Sequence, residues 1–121
     1  SQCGRSAVSA LDNSGGAITE DGRLTGNTAT VIFTATGATW IRSITATENN
    51  GGTPTLSIEK YDGTNTYYIR RAVAMTAGTQ VIYNEPFLLP TGWSIRLTSG
   101  DAAGRIDWSI TYDGRSAGKL R

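Results

Sequence analysis

Arg105–Tyr112 reads RIDWSITY, and Ile106, Trp108, Ile110 and Tyr112 alternate along it with Asp107, Ser109 and Thr111. Successive side chains of a strand point to opposite faces, so strict alternation marks a strand with one face on a core and the other in water. The inward set is Ile106, Trp108, Ile110 and Tyr112. GDAAG precedes this strand as a turn, and WSIRLTS before it alternates again, with Trp93, Ile95 and Leu97 against Ser94, Arg96 and Thr98.

The same texture runs back to residue 28. TATVIFTAT puts Ala29, Val31, Phe33 and Ala35 on one face, and Thr28, Thr30, Ile32 and Thr34 on the other. TWIRSITAT groups Trp40, Ile44 and Ala46, with Arg42 breaking their face. TLSIEKY alternates Leu56 and Ile58 with Ser57 and Glu59. TYYIRRAVAM places Tyr67, Ile69, Val73 and Met75 on one side, interrupted by Arg71, and Tyr68, Arg70, Ala72 and Ala74 on the other. QVIYNEPFLLP gives two short extended pieces around Pro86, because proline has no N–H for a ladder. Trp93, Trp108 and Phe33 are expected in the core, and Trp40 with them.

About seven or eight strands at roughly 8–12-residue spacing, joined by polar turns, predict an all-β fold. Parallel strands need crossovers of a dozen or more residues, and the turns are too short. The expected architecture is an antiparallel β-sandwich or jelly roll with an extended N-terminal arm. Three segments follow: an arm over residues 1–27, a sandwich over 28–113, and a basic tail over 114–121. The arm is small, polar and glycine-rich, with too few apolar side chains for a core of its own. Within it, AITEDGRLT could add an edge strand to a neighbouring subunit, or serve as an ordinary edge strand after a disordered leader. The tail carries Arg115, Lys119 and Arg121 and no acid.

Composition narrows the chemistry. The 121 residues suit one domain, and 38% hydrophobic content supports a modest core. The 11 Lys and Arg nearly balance the 10 Asp and Glu, leaving a net charge of +1 and no field for general nucleic-acid binding. There is no histidine, and Cys3 is the single cysteine. That excludes an intrachain disulfide, a His/Cys zinc site and a Ser–His or Cys–His nucleophile. No apolar run approaches a membrane span or a signal-peptide core. Paired carboxylates are the remaining catalytic option. Yet Asp62, Asp101 and Asp113 fall in short glycine-containing turns, where aspartate serves local backbone hydrogen bonds. No catalytic, cofactor-binding or metal-binding residue is expected.

Tyr61–Arg71, YDGTNTYYIRR, is the one stretch with the letters of a binding surface. Asp62–Asn65 reads as a hairpin turn. Tyr68 and Arg70 then share one strand face, and Tyr61 lies near the turn. Arg42 and Arg71 break apolar faces, and a charge there is costly to bury unless paired. Candidate partner-binding residues are therefore Tyr68, Arg70, Arg42, Arg71 and Tyr61, since Tyr and Arg are enriched at interface hot spots.

From Thr55 onward the text resembles a pattern in virion structural proteins of tailed bacteriophages. LSIEKYDGTNTYYIRRAVAMTAGTQVIYNEPFLLPTGWSIRLTSGDAAGRIDWSITY, about half the chain, is similar to their small β-sandwich modules. The shared features are a DGT hairpin, a YY strand, an AGT turn, a P–LLP–G link and a final SITY strand. One departure is Gly92, followed here by Trp93 where such modules often have Gly-Asp. The resemblance implies a structural virion component; taken with the all-β pattern, the lack of catalytic groups and the low-apolar arm, the expected role is a non-enzymatic capsid decoration (cement) protein on the capsid exterior. Its implied partners are the major capsid protein and like subunits, with a homotrimer favoured. Neck or tail placement, or a carbohydrate- or receptor-binding module, are the alternatives. From charge, hydropathy and composition, no cofactor, nucleic acid or membrane partner is expected.

Overall fold

The computed structural model describes residues 16–102 and 105–114. Residues 1–15, with Cys3, and the basic tail from Arg115 lie outside the described residues. The strands are β1 (Ala17–Leu24), β2 (Thr30–Thr34), β3 (Thr39–Glu48), β4 (Thr55–Tyr61) and β5 (Thr66–Ala74). They continue as β6 (Gln80–Tyr83), β7 (Phe87–Leu89), β8 (Ser94–Ser99) and β9 (Ile106–Asp113).

One sheet has the order β1-β9-β3-β6, with β7 also on β3, and the other has the order β2-β8-β4-β5. All pairings are antiparallel. If β6 and β7 are taken as one strand broken at Pro86, this is the strand order of an eight-stranded jelly roll. The break raises the strand count among the described residues to nine. Among the described residues, only β4–β5 forms a hairpin within a sheet; apart from the β6–β7 break, every other connection crosses between sheets.

The inner faces supply the core. Leu24, Ile41, Ile44, Ala46, Ile106 and Ile110 of the first sheet meet Ile32, Leu56, Ile58, Ile95 and Leu97 of the second. Met75 and Leu89 join them. Each large aliphatic so buried contributes roughly 1.5–3 kcal/mol. Phe33, Trp93, Trp108 and Tyr112 pack against this cluster while partly exposed.

β9 holds the first sheet together. It pairs with β1 from Ile106↔Leu24 to Asp113↔Ala17, and with β3 on its other side. AITEDGRLT therefore supplies the edge strand of its own domain, and the sandwich begins ahead of residue 28.

Three strands depart from simple alternation, each at a bulge. In β3, Thr111 faces Ser43 and Tyr112 faces Ile41, so Arg42 is an extra residue. The bulge turns both Ile41 and Ile44 inward and leaves Trp40 outward, 42% exposed. Trp40 is thus a surface residue, not the core residue its spacing from Ile44 predicts. In β2, Val31 pairs with Arg96 and Phe33 with Ile95, so Ile32 is extra and buried while Val31 is exposed. In β5, Arg70 pairs with Ile58 and Tyr68 with Glu59, which makes Ile69 extra. A second irregularity sets Arg71 and Ala72 opposite Ser57, with the Ala72 N–H donating to Ser57 Oγ at 2.9 Å.

Candidate functional site

The β4–β5 turn is built on Asp62. Its Oδ1 accepts from the Thr64 and Asn65 N–H groups at 2.8 and 2.6 Å, and its Oδ2 from the Tyr67 hydroxyl at 3.3 Å. Gly63 takes φ 101°, a conformation that favours glycine. Hydrogen bonds from Asn65 and Thr64 hold the Asp62 carboxyl below its ordinary range. The carboxylate is thereby committed to the turn. Tyr67 stacks on Trp93 at 5.5 Å between centroids.

The bulge at Ile69 redistributes the residues that follow. Arg70 lies over the Tyr83 ring of the facing sheet at 4.7 Å. Tyr83 meets Phe87 edge-on at 5.9 Å, and Lys60 lies over Phe87 at 5.4 Å. This cation–aromatic series closes the sandwich between β5 and β6–β7. Tyr68 and Arg70 are therefore not partners on one face: Ile69, extra in the register, separates them. Arg71 takes that place, with its guanidinium 4.8 Å from the Tyr68 ring.

Tyr61, Tyr68 and Arg71 do share the outer face of the second sheet. Arg96 lies 4.0 Å over the Tyr61 ring and ion-pairs with Glu59 at 3.0 Å. Its Nη2 donates to Thr66 Oγ1 at 2.5 Å, and Thr98 donates to Glu59 Oε2 at 2.9 Å. Glu59 is 4% exposed, so this ion pair is largely desolvated and fully partnered. Register pairing runs Val31↔Arg96↔Glu59↔Tyr68 straight across the sheet. The row has a rigid charged centre and an exposed apolar or aromatic residue at each end. Arg96 and Glu59 were legible only as polar-face positions on neighbouring strands, and nothing in one strand alone shows that they pair.

Arg42 lies on the opposite outer face, that of the first sheet. Its Nε donates to Asp113 Oδ1 at 2.6 Å. Trp40, Arg42, Pro86 and Asp113 line a hollow of about 240 Å³. The sequence signal for this surface was Arg42 itself, a charge where alternation asks for an apolar residue. Exposed Ile82 and Leu88 share that face, opposite Thr45 and Trp40; toward β1 it is polar, where Arg23 pairs with Asp107 at 2.5 Å, Thr19 with Thr111, and Ser109 donates to Asp21.

Glu48 and Glu20 are also engaged. Glu48, 2% exposed, accepts from the N–H groups of Asn50, Gly52 and Gly78 at 2.7, 3.0 and 3.0 Å. Gly78 first, then Gly52, Asn50 and Gly51, draw its carboxyl below the ordinary range. Glu20 accepts from the Tyr112 hydroxyl at 2.6 Å. Burial and that bond push the Tyr112 phenol up to about 12. Among the described residues, no three Cys, Asp or Glu side chains are grouped to hold a metal ion, and no helix is long and apolar enough to cross a membrane.

No family model matches the sequence, and no curated protein is similar to it. Among solved structures, a pentameric capsid protein isolated from metagenomic phage sequences is similar over 79% of this chain and 62% of its own, at 18% identity and a TM-score of 0.47. A second structure of such a pentameric capsid protein, phased with iodide, covers 79% of this chain and 64% of its own, at 15% identity and TM-score 0.45. The structure of infectious bursal disease virus, Gx strain, covers 90% of this chain and 33% of its own, at 14% identity and TM-score 0.48. This chain spans less than two thirds of the length of each.

Proposed function

We propose that this chain is a non-enzymatic structural protein of a bacteriophage virion, a decoration (cement) protein that binds the outside of the major capsid protein shell and stabilises it. The observation that carries this reading is the outer face of the second sheet. It is a continuous strand surface with the ordered Arg96–Glu59 pair at its centre and Val31 and the Tyr68–Arg71 stack at its margins. Tyr and Arg on a rigid support are the residues that dominate protein interfaces. Asp62, Glu59 and Glu48 are committed to a turn, an ion pair and a loop tie.

In this reading the partners are capsid subunits and further copies of this chain, with a trimer as the favoured assembly. Tyr61 and Arg96 support the contact face from within, and Tyr68 and Arg71 touch the shell. The test is co-sedimentation with emptied, expanded capsids. The wild-type chain is expected to pellet with shells, and a Tyr68→Ala/Arg71→Ala variant to stay in the supernatant. A wild-type chain that stays off the shells sinks the proposal. Sedimentation equilibrium of the free protein reports whether the assembly is a trimer.

A further inference from the structure

We propose that the hollow on the outer face of the first sheet is a binding subsite for a neutral pyranose sugar, with Trp40 as its stacking platform. Trp40 stands outward from β3 with 42% of its surface exposed, paired across the sheet with the exposed Leu88. Arg42 and Asp113 stand beside it, and Pro86 closes the hollow. The single bond from Arg42 Nε to Asp113 Oδ1 leaves polar capacity at the rim. Among the described residues, neither the two terminal nitrogens of Arg42 nor Asp113 Oδ2 has another partner. A flat aromatic surface thus sits next to two free donors and one free acceptor.

That combination fits the chemistry of a sugar ring. A pyranose presents C–H groups on its face and hydroxyls around its edge. The C–H face packs on the indole, one edge hydroxyl accepts from Arg42, and a neighbouring hydroxyl donates to Asp113. One cation paired with one anion leaves the subsite without net charge, which selects a neutral sugar over an acidic or amino sugar. Size points the same way. The hollow, at about 240 Å³, lies below the ~300–1,000 Å³ of pockets that hold drug-sized ligands. Its four lining residues are far short of the ~20–30 residues a side of a standard protein interface. The platform is also pre-organised. Trp40 is held by the β3–β7 ladder and Pro86 fixes the approach to β7, so little ordering is needed on binding.

The site lies on the face opposite the Tyr68–Arg71 stack, so it is independent of the shell contact proposed above. The experiment uses the full chain and millimolar methyl glycosides of glucose, galactose and mannose, in both anomers. Saturation-transfer NMR reads the sugar ring protons and tryptophan emission reads the platform. At least one glycoside is expected to receive saturation and to shift the emission. Trp40→Ala and Asp113→Asn are each expected to weaken binding at least tenfold, Trp40→Phe to retain part of it, and Tyr68→Ala to leave it unchanged. Circular dichroism of each variant separates lost binding from lost fold. No transfer to any of the glycosides, or equal transfer with folded Trp40→Ala, overturns the proposal.

Discussion

Gly22 is a strand residue with an indole where its side chain would be. It pairs with Trp108 across β1 and β9, and a Cβ on it would overlap the Trp108 ring. The Asp-Gly pair at 21–22 is a common turn signal, yet here it runs straight through a strand because Trp108 needs the room. Gly22→Ala is expected to destabilise the fold by roughly 1–3 kcal/mol, the usual cost of overpacking. Urea unfolding measures it, and a shifted native tryptophan emission locates it. Ala72 presents the reverse case. It has φ 51°, in the left-handed region that an L side chain enters at a cost. Ala72→Gly relieves that cost, offset in part by a more flexible unfolded chain. The expected outcome is a gain of up to ~1 kcal/mol in unfolding free energy, read by the same titration. A loss of stability would show that the Ala72 methyl group matters more than its backbone.

At the scale of strands, legibility depended on whether a strand ran without a bulge. β8 and β9 alternate cleanly, and their inward residues Ile95, Leu97, Ile106 and Ile110 lie in the core. β2, β3 and β5 each carry an extra residue, and each reverses its faces part of the way along. Period-2 reading therefore put Trp40 inside and paired Tyr68 with Arg70. A bulge depends on what lies opposite, and one strand's text does not contain its neighbour's register. Arg42 was the visible symptom, since a charge on an apolar face signals either burial with a partner or a change of phase. The elements are tied by loops as well as ladders. Glu48, last in β3, joins the turn at 50–52 to the turn at 76–79 through backbone N–H groups. A neutral amide at this position accepts fewer of those bonds, so Glu48→Gln is expected to lower the urea midpoint at neutral pH. The folded-state pKa of Glu48 lies below its ordinary 4.5. Its contribution is therefore present above 4.5 and is lost as pH falls through the depressed value. The difference between wild type and Glu48→Gln should shrink over that acid window, and a constant difference would mean that shape rather than charge holds the loops.

For the whole molecule, the way the sheets end restricts how it meets partners. β1 carries Glu20, Asp21 and Arg23, β2 and β5 are bulged, and β6 and β7 are short pieces broken at Pro86. These are the devices that keep sheet edges from pairing with other chains, which among the described residues favours contacts through the two outer faces. The titration behaviour is also a property of the whole. The chain has no histidine, the one side chain whose ordinary pKa lies between pH 5 and 8. Asp62 and Asp107 are depressed as Glu48 is, Asp107 chiefly by its bond from Arg23. For all three, folding favours the charged form. Their stabilisation is complete above the ordinary carboxylate range and is lost only as acid protonates them. Tyr112 sets the alkaline side. Its folded pKa is raised from 10 to about 12, so the folded state holds the phenolic proton more tightly. That contribution is fully present below pH 10 and is lost as pH rises toward 12. The urea midpoint is therefore expected to be flat across neutral pH, with an acid limb below 4.5 and an alkaline limb above 10. In Tyr112→Phe the acid limb should remain and the alkaline limb should diminish. An unchanged alkaline limb would mean that Tyr112 ionises as readily in the fold as in the open chain, and that burial beside Phe33 and the bond to Glu20 do not protect its proton.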